Sequence, residues 1–90
     1  MDYRVLLHQK ANSDLRKLDR QMQIQIEKKL KELAKNPKIL GEHLKFSEWW
    51  RIRVGDYRAI YEIDEKEKRI IVLYIGHRKN VYDDFSKMLF

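Results

Sequence analysis

The 90-residue sequence predicts a small α+β fold of one domain, residues 1–90, in the order βααβββα, with a helical hairpin packed on a twisted, mainly antiparallel sheet. Three observations predict it. A short aliphatic run opens the chain, two amphipathic segments follow and are closed by a proline, and the second half holds three strand-like runs separated by tight-turn signals. An apolar fraction of 43% supplies one modest core and leaves no room for a second domain.

The opening run "YRVLLH", residues 3–8, reads as the first strand. Asn12 or Ser13 then caps a helix that carries Leu15 and Leu18 at a spacing of three. Asp19 caps a second helix, in which Met22, Ile26, Leu30 and Leu33 fall at spacings of four, four and three and make one apolar stripe. Asn36-Pro37 ends the hairpin, because proline cannot continue the helix and restricts the residue before it. Lysines 28, 29, 31 and 35 lie mostly off the stripe, as a solvated face or as a surface for an anion.

After a loop through Gly41, strands are expected at about 49–54, 57–63 and 69–75. Gly55-Asp56 makes a tight turn between the first two, and "DEKEK" joins the next pair. "RIIVLYI" shows no alternation and is therefore expected to be the central strand, buried on both faces. Asn80, with Asp83 three residues on, opens a terminal helix on which Phe85, Met88 and Leu89 share a face.

The chain has no cysteine, which excludes disulfides, a thiol nucleophile and thiolate metal sites. It has no phosphate-cradling glycine loop and no histidine pair at ligand spacing, so the sequence gives no case for a metal or a cofactor. His8 and His43 have no suggestive neighbours in the sequence. The N-terminus lacks a cleavable leader pattern and no run of ~18 apolar residues occurs, so a soluble, cytoplasmic protein without membrane attachment is expected. The formal net charge of +6 favours a polyanionic partner, nucleic acid first.

Chemistry concentrates in the second half. In "WWRIRVGDYRAIY", residues 49–61, Arg51 and Arg53 alternate with Ile52 and Val54, so both arginines leave one face of a strand. With Arg58 and with His77, Arg78 and Tyr82 from "GHRKNVY", they form a set of six that converges at one end of the sheet if the last three strands are neighbours. Phosphodiester cleavage needs such a set. Guanidinium groups hold and neutralise the phosphate, histidine moves protons near neutral pH, and tyrosine stacks on a base or joins in proton transfer. The bland alternative has equal standing from spacing alone: arginines on an exposed hairpin discourage edge-to-edge aggregation and pair with Glu48, Asp56 or Glu62. His77 alone reads more simply as a solvated residue after a turn, and Trp49 and Trp50 as core and hairpin cover.

The order of elements, "LKELAKNP", "LKF…WWRIRVGDYRAIYEID" and "IIVLYIGHRKNVY" together resemble the RelE/ParE toxin superfamily, and within it the RelE-like ribosome-dependent mRNA interferases. The resemblance spans essentially the whole chain. It implies a type II toxin that works in the ribosomal A site and cuts the mRNA codon there, without metal, by attack of the ribose 2′-hydroxyl to leave a 2′,3′-cyclic phosphate and a 5′-hydroxyl. It also implies a cognate RelB-like antitoxin, with operator DNA met only through that antitoxin.

By the same resemblance Arg58 matches the phosphate-binding arginine, Arg78 the arginine that stabilises the transition state or assists the leaving group, and Tyr82 the tyrosine that stacks on the cleaved nucleotide. Arg51 and Arg53 stand where some members carry lysines, one of them proposed as the general base. Arginine, with a pKa above ~12, is a poor base, so proton abstraction falls to His77, to Tyr82, or to electrostatic activation alone. Two other classes stay open: a ParE-like toxin that poisons DNA gyrase, and a catalytically inactive member that binds only antitoxin or DNA.

Overall fold

The structure, a computed structural model, describes residues 2–77. The expected terminal helix with Phe85, Met88 and Leu89, and the site candidates Arg78 and Tyr82, lie outside the described residues. Within them the chain runs β1 (Arg4–Leu7), α1 (Gln9–Arg16), α2 (Arg20–Leu33), α3 (Pro37–Leu40), β2 (Glu42–His43), β3 (Trp49–Val54), β4 (Tyr57–Asp64) and β5 (Arg69–His77). The sheet order is β1-β5-β4-β3-β2, antiparallel throughout except for the parallel pair β1 and β5. The α+β class, the helical hairpin and the three long strands stand as the sequence predicts.

Four details differ. Helix α1 begins at Gln9, with His8 as its cap accepting the Lys10 N–H on Nδ1 at 3.3 Å, and Asn12 and Ser13 fall inside the helix. Burial decides this: Ala11 and Leu15, four apart, are both driven into the core, and that outweighs the capping preference of the polar pair between them. Pro37, besides ending α2, opens the single turn of α3, where its missing N–H costs nothing. Strand β2 is two exposed polar residues, too short to leave a periodic trace. The middle strand is β4, not β5.

The missing alternation in "RIIVLYI" has a local cause. Ile60 pairs with Tyr74 and Tyr61 with Val72, so Leu73 is an extra residue in β5 and the facing pattern slips there. Before the bulge Ile70 and Val72 face the helices; after it Ile75 does, and Tyr74 faces the other way with Ile60. The main core lies between helices and sheet and includes Leu15, Ile26, Leu30 and Leu33 against Ile52, Tyr61, Ile70 and Val72. A smaller cluster of Ile60 and Tyr74, flanked by Trp49 and Leu73, sits on the open face, while Trp50 packs on the helix side and stacks on Tyr61. The two tryptophans thus cover opposite faces, as adjacent strand residues must.

Strand β1 ends at Leu7, whereas β5 continues to His77, which leaves one edge of β5 unpaired beyond Val72. Asp14 from α1 fills the gap: its Oδ2 accepts the Ile75 N–H at 3.2 Å and its Oδ1 accepts from Lys10 at 2.6 Å. A buried edge is thereby satisfied by a side chain in place of a strand.

Candidate active site

Trp50, Ile52 and Val54 of β3 belong to the helix-side core, so Arg51 and Arg53, between them, project from the open face. The β3–β4 turn closes with Val54 opposite Tyr57, and Gly55 there takes φ +59°, a value strained for any residue with a Cβ. This register sets Arg53 directly opposite Arg58, and Arg58 in turn opposite Gly76 of β5. The Arg58 Nη1 donates to the carbonyls of Gly55 at 3.0 Å and Tyr57 at 2.9 Å, which fixes the guanidinium over the turn.

The three arginines, with Leu40, Gly41 and Glu42, line a cavity of about 250 Å3. Its far wall is the α3–β2 junction. Tyr61, fully buried, donates its Oη to the Pro37 carbonyl at 2.7 Å, and burial pushes its phenol well above the usual tyrosine range. The hydroxyl passes so close to Gly41 that a Cβ there would lie 1.6 Å from it. Only glycine fits, and the backbone that carries Glu42 into the cavity is pinned from behind. Glu42 pairs with Arg51 in the sheet register, and its Oε2 accepts from the Arg51 Nη2 at 2.7 Å. No sequence pattern singled out Glu42. The one trace is an acid placed directly after Gly41, and only the pairing of β2 with β3 connects it to Arg51.

His77 shares this end of the sheet but not this face. It pairs with Tyr57, whose side chain packs on the helix-side core, and the two rings meet edge-on with centroids 5.6 Å apart. The structure therefore brings Arg51, Arg53 and Arg58 together and sets His77 across the sheet from them. Arg53 also borders a second hollow with Lys28, Lys29 and Glu32 of α2, so the cationic surface continues around the turn toward the helical hairpin. Among the described residues, no three histidine, aspartate or glutamate side chains stand close enough to hold a metal ion, and no helix is long and apolar enough to cross a membrane.

A hairpin of helices on a five-stranded sheet, with an arginine cavity at the end of its central strands, defines a small toxin fold. The chain belongs to the RelE/ParE superfamily: the family of ParE toxins of type II toxin–antitoxin systems matches residues 5–82. Within it the chain is similar to a putative RelE-like toxin of Escherichia coli, 30% identical over 99% of both chains. It is also similar to toxin RelG of Mycobacterium tuberculosis, 29% identical over 91% of this chain and 98% of that one. Among solved structures, the M. tuberculosis toxin–antitoxin complex RelBE2 superposes with a TM-score of 0.79 at 25% identity, covering 87% of this chain and all of the matched one. The chain is a RelE-like toxin of the type II class.

Proposed function

We propose that this toxin is a cytoplasmic, ribosome-dependent endoribonuclease, a single domain over residues 1–90 that cleaves mRNA in the A site. The observation that carries the reading is the cavity that gathers Arg51, Arg53 and Arg58 on one open face. Three guanidinium groups around a small polar hollow are suited to a phosphodiester, whose pentacoordinate transition state carries more charge than its ground state. In this reading Arg58 and Arg53 hold the phosphate, Arg51 completes the ring of charge, and Arg78 and Tyr82 act as the resemblance implies. The 2′-oxygen attacks phosphorus, the bond to the 5′-oxygen breaks, and a 2′,3′-cyclic phosphate and a 5′-hydroxyl result.

Dependence on the ribosome follows from size and charge. A 90-residue protein of net charge +6 holds free RNA weakly and in a salt-dependent way, and in-line attack needs the substrate backbone held in one geometry. A RelB-like antitoxin is the cognate partner in this reading, as in the RelBE2 complex, and operator DNA is reached only through it. An acidic segment of that antitoxin would cover part of the arginine site.

Product-end analysis of a defined mRNA on purified ribosomes tests the proposal. Cleavage with cyclic-phosphate ends on programmed ribosomes, and intact naked mRNA, is the expected result. Equal cleavage of free RNA would overturn the mechanism. Because the matching family is described by its ParE toxin, gyrase poisoning is the competing reading, and accumulation of cleaved DNA with purified gyrase in place of mRNA cleavage would establish it.

A further inference from the structure

We propose, on the endoribonuclease reading above, that Phe46 stacks on an unpaired base of the mRNA beside the cleaved bond and so extends the grip on substrate beyond the arginine cavity. Phe46 lies in the loop that joins β2 to β3, and it is 105% exposed, so nothing in the described fold covers its ring. Its backbone takes φ +60°, the left-handed region that glycine adopts freely and a bulky side chain rarely does. An apolar ring in water and a strained backbone beneath it both weaken the fold, and no packing offsets either. Lys68, the other described non-glycine residue at positive φ, differs: its Nζ pairs with Glu65 at 3.2 Å and lies over the Tyr3 ring. Its strain has a counterpart inside the fold, whereas the Phe46 ring is left for a contact outside it.

The loop holds that ring on a fixed backbone. The Leu44 N–H donates to the Trp49 carbonyl at 2.9 Å and closes the hairpin. The Ser47 Oγ donates to the Leu44 carbonyl at 2.7 Å and accepts the Trp49 N–H at 3.1 Å, while the His43 Nε2 bonds to the Ser47 carbonyl at 2.7 Å. The His43 ring is itself packed on Trp50, with centroids 4.9 Å apart. Residues on both sides of Phe46 are therefore tied, and a ring presented in this way loses little freedom when it binds.

Its surroundings select the partner. The loop is balanced in charge, with Lys45 against Glu48, so what it presents is an aromatic face. The charge that draws RNA stands on the same hairpin: Arg51 follows Trp49 by two residues, ~7 Å along the strand, and lines the cavity with Arg53 and Arg58. An RNA strand that places its phosphate in the cavity and runs back along β3 meets the Phe46 ring at the hairpin end. Cationic groups for the backbone and an aromatic ring for the base are the pair of contacts that holds single-stranded RNA. Every base has a π-face, so this contact adds affinity without dictating sequence.

The test is single-turnover cleavage of ribosome-bound mRNA, at sub-saturating toxin, by the full chain and by Phe46→Gly, Phe46→Leu and Phe46→Trp. Phe46→Gly should raise the melting temperature, because glycine is unstrained at this φ, and should lower the rate roughly 5- to 150-fold, the range for loss of one base–aromatic stack. Leucine, apolar but without a π-face, should lose as much, and tryptophan should restore most of the rate. On mRNA with an abasic nucleotide at the stacked position, wild type and Phe46→Gly should cleave alike. A Phe46→Gly rate less than about fivefold below wild type, or a lowered melting temperature, overturns the inference. So does a defect that persists with an abasic nucleotide at each flanking position in turn, which moves the contact to the ribosome. Full activity of Phe46→Leu overturns it in favour of an apolar contact with a protein. A wild-type chain that fails to cleave ribosome-bound mRNA at all overturns the proposed function and this inference with it, which separates the two failures.

Discussion

Arg53 and Arg58 stand directly opposite each other on β3 and β4, two cations in one cross-strand pair. Like charges in that arrangement destabilise a sheet by ~0.2–1 kcal/mol relative to neutral pairs, and an acid at either position would stabilise it. The pair is therefore a cost to the fold that a phosphate ligand would offset. Replacing Arg53 by Glu should raise the melting temperature by about 1–8 °C, as expected for such an energy in a chain of this size. It should also abolish cleavage. Thermal denaturation and single-turnover cleavage, measured on the same preparation, check the two halves; a lowered melting temperature would show that Arg53 is a structural residue.

Arg58→Ala should lower the single-turnover rate on ribosome-bound mRNA on the order of a hundredfold, the usual loss for a charge aimed at a transition state. The fold should survive, since the side chain lies on the open face and donates to carbonyls of the β3–β4 turn. Circular dichroism beside the rate measurement tests both statements.

Gly41→Ala should destabilise the protein by ~1–3 kcal/mol, because the new Cβ collides with the Tyr61 hydroxyl. Tyr61→Phe should cost ~1 kcal/mol through the lost bond to Pro37. The double variant should be less destabilised than the sum, since removing the hydroxyl opens the space that the methyl needs. Urea unfolding of the four proteins completes the cycle, and strict additivity would mean that the two groups do not meet.

Asp14→Ala should expose the unpaired edge of β5 at Ile75 and cost ~1–3 kcal/mol, the usual penalty for leaving a buried donor unsatisfied. Faster hydrogen exchange of the Ile75 amide, with little change at Ile70, is the local signature. Uniform acceleration along β5 would point instead to general loosening.

Glu65 links stability to acid pH. Lys38 at 3.0 Å, the Tyr3 hydroxyl at 2.9 Å and Lys68 at 3.2 Å hold its carboxyl at about 2, below the usual 4.5. Its folded value is depressed, so its contribution is present above the unfolded value and is lost as pH falls from about 4.5 toward 2. Asp64, held low by Arg69, adds in the same direction. Glu65→Gln should lower the melting temperature at neutral pH and flatten its fall between pH 4.5 and 2; an unchanged slope would assign the acid sensitivity elsewhere.

Much of this protein is legible in its sequence because the relevant forces are local. The stripe Met22, Ile26, Leu30 and Leu33 specifies a helix, Asp19 caps it by accepting the Met22 N–H at 2.8 Å, and Gly55 specifies the turn that brings Arg53 to Arg58. Alternation alone put Arg51 and Arg53 on one face. The rest depended on contacts between segments far apart in the chain. The start of α1 was decided by what Ala11 and Leu15 bury against, the phase of β5 by a bulge at Leu73, and the face of His77 by pairing with Tyr57. Glu42 meets Arg51 because β2 pairs with β3, beside a fully buried tyrosine, twenty residues along, that reaches past Gly41 to Pro37. No period of two or of 3.6 encodes such a meeting, since it arises only when the sheet closes on its core and the registers of separate strands are set against one another.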